Sequence, residues 1–437
     1  MRPAATTTPG RTPNRTPIRR AVVASLVGNA LEWYDFFLYG TAAALVFNQL
    51  FFPTVDPLAG TIAAFGTYAL GFAARPLGGL VFGHFGDRIG RRSMLVATLT
   101  IMGAATFLIG LLPTYDRIGI AAPVLLTVLR VVQGIAVGGE WGGGVLLISE
   151  NADPKRRGML SALSQTGVGF GFVLSALVFA VVAAVTDEEQ FLAWGWRVPF
   201  LLGALLMGAG LVIRLKVLET AAFAETRERH RVPALEAVRR HPRAVLVTFG
   251  ARIAENGGSY IFLTFVLAYA SRIGVPGEVT LTAVVLGMAL EALAMPAWGA
   301  LSDRVGRRPV YAFGAVAVVA WAWPFFVLLD TRQPALVILA VVVANAVCHG
   351  AMIGTQPAFF SELFGSGVRY SGVAIGHELA SVLAGGLSPL IATALLAWAG
   401  GWWPVAGYLA VMGAITVAAV LASRETAATD LGAVGAR

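Results

Sequence analysis

The chain has 437 residues, 57% of them hydrophobic and only 13% charged, with a mean hydropathy of +0.75. Soluble domains carry about 25% charged residues, so this composition excludes an ordinary soluble protein and places the chain in a bilayer. The net charge of +8 falls in short runs between apolar segments, which fits membrane orientation and not a basic nucleic-acid groove, and the single Cys348 offers neither an internal disulfide nor a second thiol for a zinc centre.

Residues 1–18, rich in Thr, Pro and Arg, contain no apolar run and are expected to form a disordered tail. Apolar segments long enough to span follow at roughly 21–47, 58–82, 93–112, 121–150, 159–185, 195–218, 244–270, 279–300, 309–329, 334–362, 371–398 and 402–422. The first is too long for a cleaved signal peptide and is expected to remain as helix one. A charged linker at 217–243 separates two six-helix bundles, 19–216 and 244–422, and 423–437 forms a carboxyl tail. The expected fold is an all-α membrane protein of twelve transmembrane helices in two parallel-related bundles.

Helix one contains GNALEWYDFFLYG at 28–40, which sets Glu32 and Asp35 on one face and extends that stripe to Tyr39. An ionised carboxylate at the bilayer centre costs about 2.5–3.5 kcal/mol on insertion scales, so these two need a partner, water or a proton. Helix four aligns Arg130, Gln133 and Glu140 on one face, beside Gly134, Gly138 and Gly142 at the spacing that lets helices pack closely. Helix seven offers Arg252, Asn256 and Tyr260, and helix ten Asn345, His349 and Gln356. For these Asn, Gln, Tyr and His side chains, substrate contact and plain interhelical hydrogen bonding both remain open. Arg75, near the end of helix two, is expected to snorkel toward the headgroups. Glu140, Glu255, Glu291 and the His377–Glu378 pair fit either a structural ion pair or a proton site.

Most of the 32 Lys and Arg lie at the termini and in the even-to-odd connections, whereas the opposite loops hold only Arg117, Arg197, Arg272 and Arg332. The positive-inside rule then puts both termini in the cytoplasm. GHFGDRIGRR at 83–92 returns as GALSDRVGRR at 299–308, each copy after the second helix of its half, and Glu150 with Arg157 is echoed by Glu362 with Arg369. Asp87 and Asp303 are placed to cap neighbouring helix starts and to pair with arginines, giving Asp87, Arg88, Arg91, Arg92 and Asp303, Arg304, Arg307, Arg308 a gating role or a purely topological one.

With the doubled Gly-x-x-x-Asp-Arg-x-Gly-Arg-Arg loop and RVVQGIAVGGEWGG at 130–143, nearly the whole chain resembles the major facilitator superfamily. EWYDFFLYG, FFP at 51–53, ARPLGG at 74–79 and GGEWGG are similar to its metabolite–proton symporter branch, whose members carry shikimate, 2-oxoglutarate, citrate, proline or betaine. The resemblance implies a bacterial inner-membrane protein with helices one, four, seven and ten lining the pathway. It further implies import of a small organic acid such as shikimate by proton symport and alternating access, with a zwitterion symporter, an exporter or a facilitator as alternatives on the same fold. Glu32, Asp35 and Arg130 are the candidates for proton coupling. Tyr39, Arg130, Gln133, Arg252, Asn256, Tyr260, Asn345, His349 and Gln356 are the candidates for substrate contact, with the arginines suited to hold a carboxylate. No metal or cofactor is expected, the partners are a metabolite, protons and lipid without nucleic acid, and a monomer is compatible with the chain. No HExxH, GxSxG or long exterior loop points to an enzyme, and the short carboxyl tail leaves no room for a signalling domain.

Overall fold

The computed structural model describes residues 15–54, 57–89, 91–138, 145–146, 148–150, 152–220, 238–365, 368–427, 429 and 431, without the side chains of 15–17, 20–21, 24, 44–45, 57–59, 61–62, 65, 83–89, 91–93, 95, 213–220 and 370. The chain folds into twelve helical rods among these residues. In the first half they are α1 (15–51), α2 (Pro57–Ile89), α3 (Arg91–Leu111), α4 (Ala121–Gly138, helical again at 145–146 and 148–150), α5 (Arg157–Val185) and α6 (Arg197–Thr220). In the second half they are α7 (242–272), α8 (Gly277–Val305), α9 (Arg307–Asp330), α10 (Pro334–Leu363), α11 (369–399) and α12 (Trp403–Ala422). The expected fold class is correct. α1 starts at Arg15, inside the stretch expected to be tail, and 221–237 of the linker lies outside the described residues.

Eight of the helices, α4 to α6 and α8 to α12, are long and apolar enough to cross a membrane on the described residues alone. α1 and α7 are less apolar because they carry Glu32 with Asp35 and Arg252 with Glu255 in their middles, and all four side chains are buried. The charges therefore face protein and not lipid, as their insertion cost requires.

Within the first half, α1 packs on α5, α2 on α4 and α3 on α6; within the second, α7 packs on α11 and α12, α8 on α10 and α9 on α12. The halves meet where α5 packs against α8 and α10 and where α2 packs against α11. Small residues set the α2–α4 distance: a Cβ on Gly134 would lie 2.0 Å from the Gly71 carbonyl oxygen, and one on Gly138 1.9 Å from that of Arg75. Short π-turns interrupt α1 at Ala43–Phe47, α7 at Ile261–Phe265, α10 at Val343–His349 and α11 at Ser381–Gly386. Such turns shift the side-chain register within a continuous rod, and they recur at functional sites.

Candidate functional site

The first half assembles a polar centre from α1, α2, α3 and α4. Asp35 is 1% exposed, and its carboxylate accepts hydrogen bonds from Thr106 Oγ1 at 2.5 Å and from Gln133 Nε2 at 2.9 Å. Arg130 Nη1 lies 3.9 Å from Asp35 Oδ2, and it donates instead to Gln133 Oε1 at 3.1 Å. Gln133 thus bridges an ion pair that is near but not in direct contact. The Arg130 guanidinium sits over the rings of Tyr39 at 4.3 Å, Tyr68 at 4.9 Å and Phe36 at 5.2 Å, and its Nε has no hydrogen-bond partner among the described residues. Aromatic faces hold the cation without neutralising it. Tyr39 itself bonds to Thr67 through its hydroxyl. Glu32, Asp35, Arg75, Arg130 and Gln133 line one narrow pocket, whose wall at Gly71 lies so close that a Cβ there would sit 2.9 Å from Arg130 Nε.

Arg75 does not snorkel. It is buried over Phe72 at 4.4 Å and Phe36 at 5.0 Å, because α2 packs against α11 and turns this side chain inward. The same rings reach across to the second half, with Tyr260 5.5 Å from Phe72 and 6.1 Å from Phe36.

The second half holds a separate buried network. Arg252 donates to Glu255 at 2.7 Å, to Gln356 at 3.0 Å and to Ser381 at 3.1 Å, and Gln356 passes its own amide to Tyr311 at 3.1 Å. His349 lies beside this network: Nδ1 is hydrogen-bonded to Glu291, and Nε2, without a hydrogen-bond partner among the described residues, lies 3.4 Å from Glu255 Oε1. Asn345 bonds back to Val341 O in its own helix, and the amide oxygens of Asn345 and Asn256 have no hydrogen-bond partner among the described residues.

A third cluster ties the halves together at the ends that carry the doubled loop. Asp303 accepts from the backbone N–H groups of Gly158 and Met159 at 2.8 and 2.9 Å, capping α5, and pairs with Arg307 at 2.7 Å. Arg157 reaches Glu362 at 2.9 Å and Arg369 reaches Glu150 at 3.0 Å, so each member of the echoed pair binds the carboxylate of the other half. Glu362 also receives Arg307 and Thr426. The tail contributes here too, since Glu425 caps the backbone of Arg307 and Arg308, while the carbonyls of Thr429 and Leu431 accept from Arg157 and Arg369. Gly306, at φ 109°, makes the turn between α8 and α9, and a side chain there would meet Glu425. Arg304 is exposed. Asp87, Arg88, Arg91, Arg92 and Glu140 lie outside the described side chains.

The spacing arguments set Arg130 and Gln133 on one face of helix four, and the structure brings Asp35 of α1 to that face and Arg252 of α7 to Gln356 of α10. They missed Thr106, Tyr68, Ser381 and Tyr311, because a lone Thr, Ser or Tyr in an apolar helix carries no signal of the helix it faces. Among the described residues no group of His, Cys, Asp and Glu is placed to hold a metal ion.

Two six-helix halves around buried charge, with a polar lock at one end, have the architecture of an alternating-access transporter. Residues 25–377 match the model of the Major Facilitator Superfamily, and the chain belongs to that superfamily. It is a multi-pass membrane transporter and not an enzyme. Its sequence is 43% identical to the shikimate transporter of Escherichia coli (strain K12), over 90% of this chain and 91% of that protein. It is 35% identical to the proline/betaine transporter of Salmonella typhimurium (strain LT2), over 94% of this chain and 84% of the other. The fold is similar to that of the proton:xylose symporter XylE bound to 6-bromo-6-deoxy-D-glucose, with a TM-score of 0.75 at 16% identity, covering 97% of this chain and 99% of that one.

Proposed function

We propose that this chain imports a small organic acid of the shikimate type across the bacterial inner membrane, driven by the proton gradient. The observation that carries the reading is the Asp35–Arg130 pair, buried and 3.9 Å apart with Gln133 between. A carboxylate in that position is neutralised either by the guanidinium or by a proton, and a substrate carboxylate that draws Arg130 away favours the proton. Glu32, on the same pocket, is the second acceptor for that proton. Arg130 and Arg252, one from each half, are the groups suited to a substrate carboxylate, and Tyr39, Gln133, Asn256, Tyr260, Asn345 and Gln356 supply polar contacts around it. His349 is turned into its own half, toward Glu255 and Glu291, and takes no part in this reading. The identity to the shikimate transporter, 43% against 35% for the proline/betaine transporter, favours an organic acid over a zwitterion.

The charge asymmetry supports cytoplasmic termini. With that orientation, the Arg157–Glu362 and Arg369–Glu150 pairs and the capping by Asp303 close the cytoplasmic end, and the equivalent Asp87, Arg88, Arg91 and Arg92 act in the same gate. Arg304 and Arg308 serve the topology of that loop. The test is uptake of radiolabelled shikimate, proline and betaine into proteoliposomes with and without an imposed pH gradient. Accumulation of shikimate that requires the gradient supports the reading; accumulation of proline or betaine alone replaces the substrate class.

A further inference from the structure

The buried charges in the middle of the helices do not balance. Among the described residues, Glu32, Asp35, Glu255, Glu291 and Glu378 stand against Arg75, Arg130 and Arg252, and all are buried. Ionised carboxylates left uncompensated in a low-dielectric interior are too costly to persist, so this set requires protons as counter-charges. By half, Glu32 and Asp35 face Arg75 and Arg130, whereas Glu255, Glu291 and Glu378 face Arg252 alone, so a counter-charging proton has to be held in the second half.

The geometry places it. His349 of α10 lies between two carboxylates, with Nδ1 on Glu291 Oε1 of α8 and Nε2 3.4 Å from Glu255 Oε1 of α7. A neutral imidazole has one N–H donor and one lone pair, so with both carboxylates ionised one of these contacts sets lone pair against lone pair. One added proton, on the ring or on a carboxyl, makes both contacts favourable. Glu291 is fully buried, and its Oε2 has no hydrogen-bond partner among the described residues, as suits a carboxyl that can take that proton. Arg252 is engaged by Glu255 at 2.7 Å, while His377 and Glu378 of α11 are hydrogen-bonded to each other at 2.8 Å; Tyr311 of α9 and Gln356 of α10 are neutral.

We infer that Glu291, His349 and Glu255 form a second proton-binding site, contained in the carboxy-terminal half and distinct from the Asp35–Arg130 pair. The proton belongs to the three groups jointly and not to one of them. The inference does not depend on which solute the protein carries. Because α7, α8 and α10 belong to one half, the site travels as a unit when the halves move against each other.

The test uses the purified full-length protein in detergent, without substrate, and infrared difference spectra at neutral pH. His349→Gln removes the ring that can carry the proton and should force it onto a carboxyl, so this variant is expected to gain one carboxylic-acid carbonyl band per chain relative to the unmodified protein or to retain one already present on Glu291. Adding Glu291→Gln should remove that band, because Arg252 then balances Glu255, whereas adding Asp35→Asn should leave it. A His349→Gln protein with no such band, or a band that survives Glu291→Gln, overturns the assignment. Should His349→Gln fail to fold, Glu291→Gln alone serves: dye-monitored titration is expected to find one proton fewer bound per chain at neutral pH, and an unchanged number contradicts the site.

Discussion

Arg130 is held by aromatic faces and one amide oxygen, with its carboxylate partner just out of contact, and this arrangement suits a cation that must change partners. Arg130→Lys keeps the charge but loses the planar fork and the stacking on Tyr39 and Tyr68. The expected result is weaker shikimate binding by roughly tenfold or more, about 1.4 kcal/mol, with the fold intact, as read by binding calorimetry and by melting in detergent. The Thr106 hydroxyl has its single proton within reach of both Asp35 Oδ1 and Met102 O, and Thr106→Val removes its contact with the carboxylate. Hydrogen bonds to charged groups contribute about 1.5–3 kcal/mol. This variant should therefore transport less shikimate under an imposed pH gradient while its melting temperature in detergent holds; unchanged transport would leave Thr106 a packing residue. The Asp35–Arg130–Gln133 grouping was legible because Arg130 and Gln133 share one face of one helix and the burial cost marked Asp35. Thr106 was not, since nothing in a single sequence says which helix a lone hydroxyl faces.

At the scale of elements, the approach of α2 to α4 is fixed by glycines, and their contacts separate the intolerant positions from the tolerant one. Added Cβ atoms at Gly134 and Gly138 would lie within 2.0 Å of backbone carbonyls, whereas at Gly79 the nearest atom is 3.4 Å away. Gly134→Ala and Gly138→Ala should each destabilise the first half by about 1–3 kcal/mol or more through overpacking, and Gly79→Ala should be neutral; melting temperatures in detergent distinguish them. The small-xxx-small spacing in helix four made this packing readable in advance. The π-turns in α7, α10 and α11 were not readable, because a turn of five residues per hydrogen bond leaves no composition signal, and the one in α10 contains Asn345 and His349. In α10, His349 meets Glu291 and lies 3.4 Å from Glu255, while Gln356 meets Arg252.

For the whole molecule, the doubled loop and its echo revealed the repeat but not the exchange of partners across it. A repeat shows that two halves are alike; only the packing of α5 on α10 and of the α4 end beside α11 brings Arg157 to Glu362 and Arg369 to Glu150. The segment 423–437 was legible only as a carboxyl tail, yet it seats Thr426 and Glu425 in the same lock. Glu362 is fully buried among Arg157, Arg307 and Thr426, and removing one member of such a set costs about 3–5 kcal/mol. A shift near 5.5 kcal/mol carries a two-state equilibrium from about 1:99 to 99:1. Glu362→Gln is thus expected to move the protein strongly toward a state open at this end, seen as increased labelling of cysteines introduced there, with substrate affinity retained. Unchanged labelling would reduce the cluster to a topological signal.

The account rests on one buried carboxylate exchanging an arginine for a proton, and the direct measurement compares the unmodified protein with Asp35→Asn and Glu32→Gln in proteoliposomes loaded with shikimate. Two readings are taken on each: accumulation of radiolabelled shikimate under an imposed pH gradient, and exchange of internal for external shikimate without one. The account predicts that at least one of the two variants, Asp35→Asn foremost, loses accumulation while exchange persists, because the site still binds and the halves still move although the proton is no longer required. Accumulation that continues at the unmodified level in both variants would contradict it.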